Sequence, residues 1–309
     1  MRLVFIFRTM TMFAFLTLLL VGLGMLISML FIGNWFPGLI IMSVVTLIFC
    51  FVSFYWSKDM ALRSTKSRII TESESPRLFS IVRDVADRAG VPMPEVGISP
   101  TAAPNAFATG RNPKNAAIVC TQGILDLLPD DELRGVIAHE MSHIKNRDIL
   151  VMTVTSALAT LVSYIARILW WMAILSPSGG RNDNNRLILI GVALAAQILV
   201  PIAAILIQLG ISRSREYLAD ETGAMIIRDP RALARALDHL DKGNDIVQAR
   251  FAEQRMREKN NPANDYDCAH MYIANPLKKG SFLSSLFSTH PPMEERIARL
   301  NRLADKMGL

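Results

Sequence analysis

The sequence predicts a membrane α-helical protein with an α+β part: two apolar hairpins attached to a predominantly helical domain with a small β-sheet. Three observations lead there. Of the 309 residues 51% are hydrophobic and only 19% charged, below the roughly one quarter usual for soluble chains. The apolar residues fall in blocks too long and uniform for an amphipathic period. Between the blocks lie helix-periodic stretches and short extended pieces cut by Pro, Asn and Gly.

The blocks come in two pairs. Residues 10–32 and 37–56 hold no charged residue, and each is close to the ~20 residues a spanning helix requires. Their link, "GNWFPG", leaves room only for a tight turn. Residues 149–175 and 187–211 form the second pair, joined by "SPSGGRNDNNR". For this pair a hairpin partly buried in protein is the alternative to a full crossing. Pro201 is expected to kink the fourth block. Arg167, in the third, is costly in lipid unless it snorkels or faces a protein-lined cavity. Arg2 and Arg8 precede an apolar run longer than a signal-peptide core, with no small-residue cleavage site after it, so the run is read as a retained anchor.

Basic residues set the expected orientation. Arg2 and Arg8, then Lys58, Arg63, Lys66 and Arg68, then Lys145 and Arg147, then Arg213 and Arg215 flank the blocks on one side. The 33–36 link is uncharged and the 176–186 loop is mixed. The bias places both termini, and everything between the second and third blocks, in the cytoplasm of a multi-pass chain in a bacterial-type inner membrane. The expected partition is a membrane hairpin at 1–57, a first cytosolic part at 58–148, a second hairpin at 149–212 and a second cytosolic part at 213–309.

The cytosolic parts read as one split domain. "SPRLFSIVRDVADRAG" carries Leu78, Ile81, Val82, Val85 and Ala89 at helical spacing, with Gly90 as its stop. "EVGISP", "NAFATG" and "AAIVCTQG" are short strands. "LPDDELRGVIAHEMSHIKN" is a helix with Asp130 as the expected N-cap. Helices are expected at 230–242 and 292–304, and the charged stretch 248–262 reads as a solvated helix face or loop. The formal charge of +6 comes with no basic patch interleaved with aromatics, so it reports membrane orientation and no nucleic acid is expected as partner. Cys50, Cys120 and Cys268 offer neither a disulfide framework nor a Cys-type metal site, which suits a reducing compartment.

The chemistry sits in His139-Glu140-x-x-His143. Residues four apart on a helix share a face, so both histidines can aim a ring nitrogen at one ion. Glu140, offset by about 100°, is poorly placed as a ligand but well placed as a general base toward a water. Two histidines are too few, because a catalytic zinc keeps three protein ligands and one open position. "SRSREYLADETGA" offers Glu216, Asp220 and Glu221. Glu216 and Asp220 share a face, suiting one carboxylate on the metal and one behind a ligand histidine. An acidic cluster that balances Arg213 and Arg215 is the alternative.

"AHEMSHIKNRD", an apolar hairpin, "SRSREYLADETGA" and "STHPPMEERIARL", with "MALRS" and "NAFATG" earlier in the chain, together resemble the HtpX-type membrane zinc metalloproteases, relatives of the CAAX prenyl protease. The resemblance covers nearly the whole chain and implies a gluzincin-like zincin domain. It implies one zinc ion per chain on His139, His143 and Glu216, Glu140 as general base and Asp220 behind the ligands. It also implies that "PNAFATG" is an edge strand whose Asn105, Ala106 and Phe107 would bind an extended substrate through the main chain. His290 would help to stabilise an oxyanion or serve as a structural cap; His239 and His270 are ordinary residues. The implied activity is ATP-independent cleavage of cytosolic segments of misfolded or damaged membrane proteins at the lipid bilayer, with self-cleavage among its cuts. The lack of a Walker-type phosphate loop fits. A CAAX-type processing protease is disfavoured by the small number of spans, and a silent zinc-bound scaffold by the intact Glu140.

Overall fold

The computed structural model describes residues 2–175, 183–257 and 291–309. The chain divides into two compact units, Met1–Tyr55 with Val151–Ile211 and Trp56–Leu150 with Ser212–Leu309.

The first unit is helical. α1 (Arg2–Ile32) and α2 (Phe36–Ser64) meet at a turn in which Gly33 adopts φ +76°. There the Phe36 N–H donates to Asn34 Oδ1 at 3.0 Å. The two helices touch through their backbones: a Cβ on Gly38 would stand 2.2 Å from the Gly24 carbonyl oxygen. In lipid, where burial of apolar surface gives helices no reason to associate, such small-residue contacts are what hold them. α6 (Asp148–Leu175) and α7 (Asp183–Ile227) supply Ala166, Leu169, Ala173 and Ala193, which pack with Leu23. Four windows are long and apolar enough to cross a membrane: Ala14–Ile32, Phe36–Ser64, Leu158–Leu175 and Ile190–Ile207. Arg167 is exposed and lines an open cavity of about 350 Å³ with Thr160, Ser163, Tyr164 and Ile205. Pro201 lies inside α7, which continues through it as one helix.

The second unit is α+β. Its strands are β1 (Arg68–Ile69), β2 (Glu95–Ser99), β3 (Ala106–Gly110) and β4 (Ala116–Thr121), in the order β1-β2-β4-β3. The β2–β4 pair is parallel and the other two are antiparallel, which leaves β3 at an edge. α3 (Pro76–Ala89), α4 (Gln122–Leu127), α5 (Asp130–Asn146), α8 (Pro230–Arg257) and α9 (Met293–Met307) complete the unit. Leu78, Val82 and Val85 of α3, Val136, Ile137 and Met141 of α5, Ile118 of β4 and Leu233 of α8 share one core. Phe107 and Val119 pack instead with Ala61 and Leu62 of α2.

Three expectations shift. Asp130 is not the cap of α5 but its first helical residue; Pro129 occupies the cap position in an extended conformation. Asp130, Asp131 and Glu132 then place three carboxylates in the first turn, where the helix dipole favours them. α8 extends well beyond residue 242, to Arg257. The fourth apolar block and "SREYLADETGAMII" are one helix of 45 residues. No proline falls between 211 and 216, and the lone Gly210 costs a helix only about 1 kcal/mol.

Candidate metal centre

The centre is built from three helices and an edge strand of the second unit. α5 presents His139 and His143 one turn apart, the first buried and the second half-buried. α7 lies against that turn at close range: a Cβ on Gly223 would come within 2.8 Å of the His139 backbone nitrogen. Ser142 fixes the crossing, its hydroxyl donating to the carbonyls of His139 at 2.7 Å and of Ala219 at 3.2 Å. This approach carries Glu216, one turn before Asp220, to the two histidines.

The geometry is that of a cation site. His139 Nε2 and His143 Nε2 lie 3.3 Å apart. Glu216 Oε2 stands 3.6 Å from His139 Nε2, and its Oε1 stands 3.5 Å from His143 Nε2. A tetrahedral ion with bonds of 2.0–2.1 Å sets its ligand atoms roughly 3.3–3.4 Å apart. The far side of each ring is engaged as well. Nδ1 of His139 is 2.9 Å from Asp220 Oδ1, and Nδ1 of His143 is 3.2 Å from Asp148 Oδ2. Ionised carboxylates only accept hydrogen bonds, so each Nδ1 carries a proton and each Nε2 is the ring nitrogen that could offer a lone pair to a cation.

Charge accounting gives the same result. Glu140, Asp148, Glu216 and Asp220 are buried here, with Arg215 and Arg296 as the buried counter-charges. Four carboxylates against two guanidiniums leave a negative excess that draws in positive charge, as protons on the two histidines or as a cation. Arg296 reaches in from α9, fully buried, donating from Nε and Nη2 to the two oxygens of Asp220 at 2.8 and 2.7 Å. Its Nη1 stands 3.7 Å from Glu216 Oε2. The Arg299 guanidinium lies 4.0 Å from the centroid of the Tyr217 ring, a second link between α9 and α7.

The ionisation preferences follow from these contacts. Burial opposes charge on His139 and His143, but the hydrogen bonds that the first donates to Asp220 and Glu216, and the second to Asp148 and Glu216, outweigh it. Both histidines are therefore raised above their usual value, the mark of a site that draws in positive charge. Burial likewise works against Asp220, yet Arg296 and His139 hold it below the ordinary carboxylate range. Glu140 is pushed up, chiefly by burial, against the pull of both histidines. The Ala108 N–H of β3 donates to Glu140 Oε2 at 2.7 Å and so holds the carboxylate beside the metal ligands.

Thus His139, Glu140, His143, Glu216 and Asp220 converge. Of the substrate-binding trio, the β3–β4 ladder uses Asn105: the Thr121 N–H donates to its carbonyl, and its own N–H donates to Thr121 Oγ1. By the alternation of an antiparallel ladder, Phe107 faces β4 as well, while Ala106 and Ala108 turn their main-chain groups to the outer edge. The Phe107 side chain packs into the core beside Ala61. His290 and His270 lie outside the described residues. His239 is tied to the buried Glu132 at 2.6 Å, away from the metal ligands.

Asp148, Arg215 and Arg296 are site residues that motif reading passes over. Arg296 does leave a signal: it sits four residues before Leu300 and eight before Ala304 on the buried face of an amphipathic helix, where a charge is out of place. Asp148 leaves none, because its contact depends on a helix break that the sequence does not announce.

The model of "Peptidase family M48" matches residues 72–304. The chain belongs to this family. It is a metallopeptidase, and its converging His139, His143 and Glu216 could hold a metal ion. "Protease HtpX homolog" of Thermococcus sibiricus is 45% identical over 303 residues, covering 98% of this chain and 97% of the relative. The protein of the same name from Thermococcus kodakarensis is 45% identical over 310 residues, 100% and 99% of the two chains. Among solved structures, the crystal structure of S. mikatae Ste24p matches with a TM-score of 0.54 at 19% identity over 91% of this chain. This chain spans 62% of that one, and the likeness is one of fold.

Proposed function

We propose that this chain is a zinc-dependent membrane endopeptidase that cuts cytosolic segments of misfolded or damaged membrane proteins without ATP, from the cytoplasmic face of an inner membrane. The observation that carries the peptidase chemistry is the convergence of three ligand atoms beside a buried carboxylate and a strand edge. One zinc ion would be held by His139, His143 and Glu216. When bound, such an ion supplies Lewis acidity that polarises a carbonyl and brings the pKa of water toward about 7.

The chain's own groups do the rest. Glu140 takes the proton of the attacking water on a carboxylate oxygen and passes it to the leaving amine. Its raised pKa makes it a stronger base than a solvated glutamate, and the Ala108 amide fixes its rotamer through Oε2. An extended peptide would add to the outer edge of β3 through the main chain of Ala106 and the carbonyl of Ala108, with no strand already paired there among the described residues. Backbone pairing reads no side chain, which suits substrates that share only an unfolded segment. The flanking basic residues and the four apolar helices support the proposed membrane setting.

Glu140→Gln is the test. In purified zinc-loaded protein it is expected to lower casein cleavage by about a hundred- to ten-thousandfold while zinc remains bound. Undiminished cleavage would remove Glu140 from the mechanism. Wild-type protein that binds zinc yet cleaves nothing would point to a scaffold. A reporter fused after Leu309 is expected to read cytoplasmic.

A further inference from the structure

α5 ends at Arg147, which adopts the left-handed conformation at φ 59° and donates its N–H to the carbonyls of His143 and Ile144. The next residue, Asp148, is the first of α6. This break has a chemical consequence. In a continuous helix a residue five positions on is rotated by about 140° and raised by about 7.5 Å, out of reach of the earlier side chain. After the break, the Asp148 carboxylate turns back onto His143 at 3.2 Å. Its other oxygen accepts a hydrogen bond from Arg215 Nη1. Asp148 and Arg215 are 1% and 5% exposed, so neither is a surface charge that happens to lie near the site. Arg215 immediately precedes the ligand Glu216, and it comes from the other end of the second apolar hairpin.

We propose that Asp148 is a positioning residue for the metal: held by Arg215, it fixes the tautomer and the ring direction of His143. This rests on the metal-site reading above. Each ligand histidine then has its own carboxylate and its own arginine, Asp220 with Arg296 for His139 and Asp148 with Arg215 for His143. The first brace comes from the C-terminal helix. The second is made by the two residues at which the apolar hairpin leaves and rejoins the metal-binding unit, so the same ion pair that clasps the hairpin ends also aims a ligand. A placement explained by the helix dipole alone would need only an acidic residue in the first turn of α6; it would need neither burial nor the contact with His143.

The experiment uses the full-length protein in detergent and compares wild type, Asp148→Asn and the double variant Asp148→Asn/Arg215→Met. Zinc affinity is measured by competition with a chromophoric chelator, cobalt(II) absorption reports ligand geometry, and thermal stability is read without metal. Losing such a partner typically weakens metal binding about ten- to a hundredfold, and that loss is expected in both variants, with an altered cobalt spectrum. The single variant removes the negative charge of a buried ion pair and is expected to melt earlier. The double variant removes both charges of the pair and is expected to recover stability without recovering affinity. Affinity within twofold of wild type in both variants would overturn the proposal. So would affinity that returns along with stability, because the pair would then serve folding alone. A wild type that binds neither zinc nor cobalt would sink the metal-site reading itself, a result separate from these two.

Discussion

The two units solve the problem of close packing in opposite ways. In the first, α1 and α2 meet through Gly24 and Gly38 with no charged side chain at the crossing. In the second, helices α5, α7 and α9 meet around six buried ionisable groups besides the two histidines. A membrane helix gains nothing from burying apolar surface against a neighbour, so shape decides. A metal centre must hold charge in a dry interior, so every charge needs a partner. The difference teaches where each unit is fragile: the first to added volume, the second to a missing partner.

Breaking the charge balance should have the largest effect. Arg296→Met leaves Asp220 buried without its bidentate partner, and such losses cost about 3–5 kcal/mol. The apo protein should therefore melt well below wild type in a thermal scan, and zinc affinity should fall because Asp220 no longer holds His139 in place. A wild-type melting temperature would mean that the pair contributes little. Adding volume to the first unit should have the next largest effect. A methyl on Gly38 meets backbone that cannot swing aside, and overpacking of this kind costs about 1–3 kcal/mol. Gly38→Ala should lower stability in detergent with zinc affinity unchanged, whereas Gly22→Ala, with open space around the added atom, should not.

The pH response sharpens the contrast further. Because His139 and His143 are raised in the folded chain, the metal-free protein holds extra protons. The stability this gives is complete below the unfolded histidine value of about 6.5 and is lost as pH rises through the folded values. Zinc competes with those protons. The increase in melting temperature on adding zinc should therefore grow as pH rises from about 6, and an increase independent of pH would argue against histidine ligation. The smallest effect belongs to the surface. The Lys58–Glu95 pair at 2.8 Å is partly exposed on both sides, and Lys58→Ala should cost no more than about 1 kcal/mol.

Much of the site was legible in the sequence because local rules govern it. Residues His139 and His143 are four apart on a helix, and that spacing alone puts them on one face. Glu216 and Asp220 repeat the same spacing. The four apolar windows follow from composition. Other features were not legible, and for definite reasons. The main-chain direction of β3 depends on its register with β4, which turns Phe107 toward β4 and Ala108 to the outer edge, where its amide meets Glu140. The cap of α5 falls on Pro129 because Leu128 and Pro129 are the two extended residues that separate α4 from α5.

By itself, then, the sequence determined the apolar blocks long enough to cross a membrane, the helix that carries His139 and His143 and the residue types able to hold a metal ion, all set by composition and by periods of a few residues. Only the tertiary structure decided which carboxylate backs which histidine. Asp220 reaches His139 across a crossing of two helices, with Arg296 arriving from a third, and Asp148 reaches His143 across a left-handed break at Arg147. These are contacts between side chains brought together by packing, and no spacing along the chain encodes them.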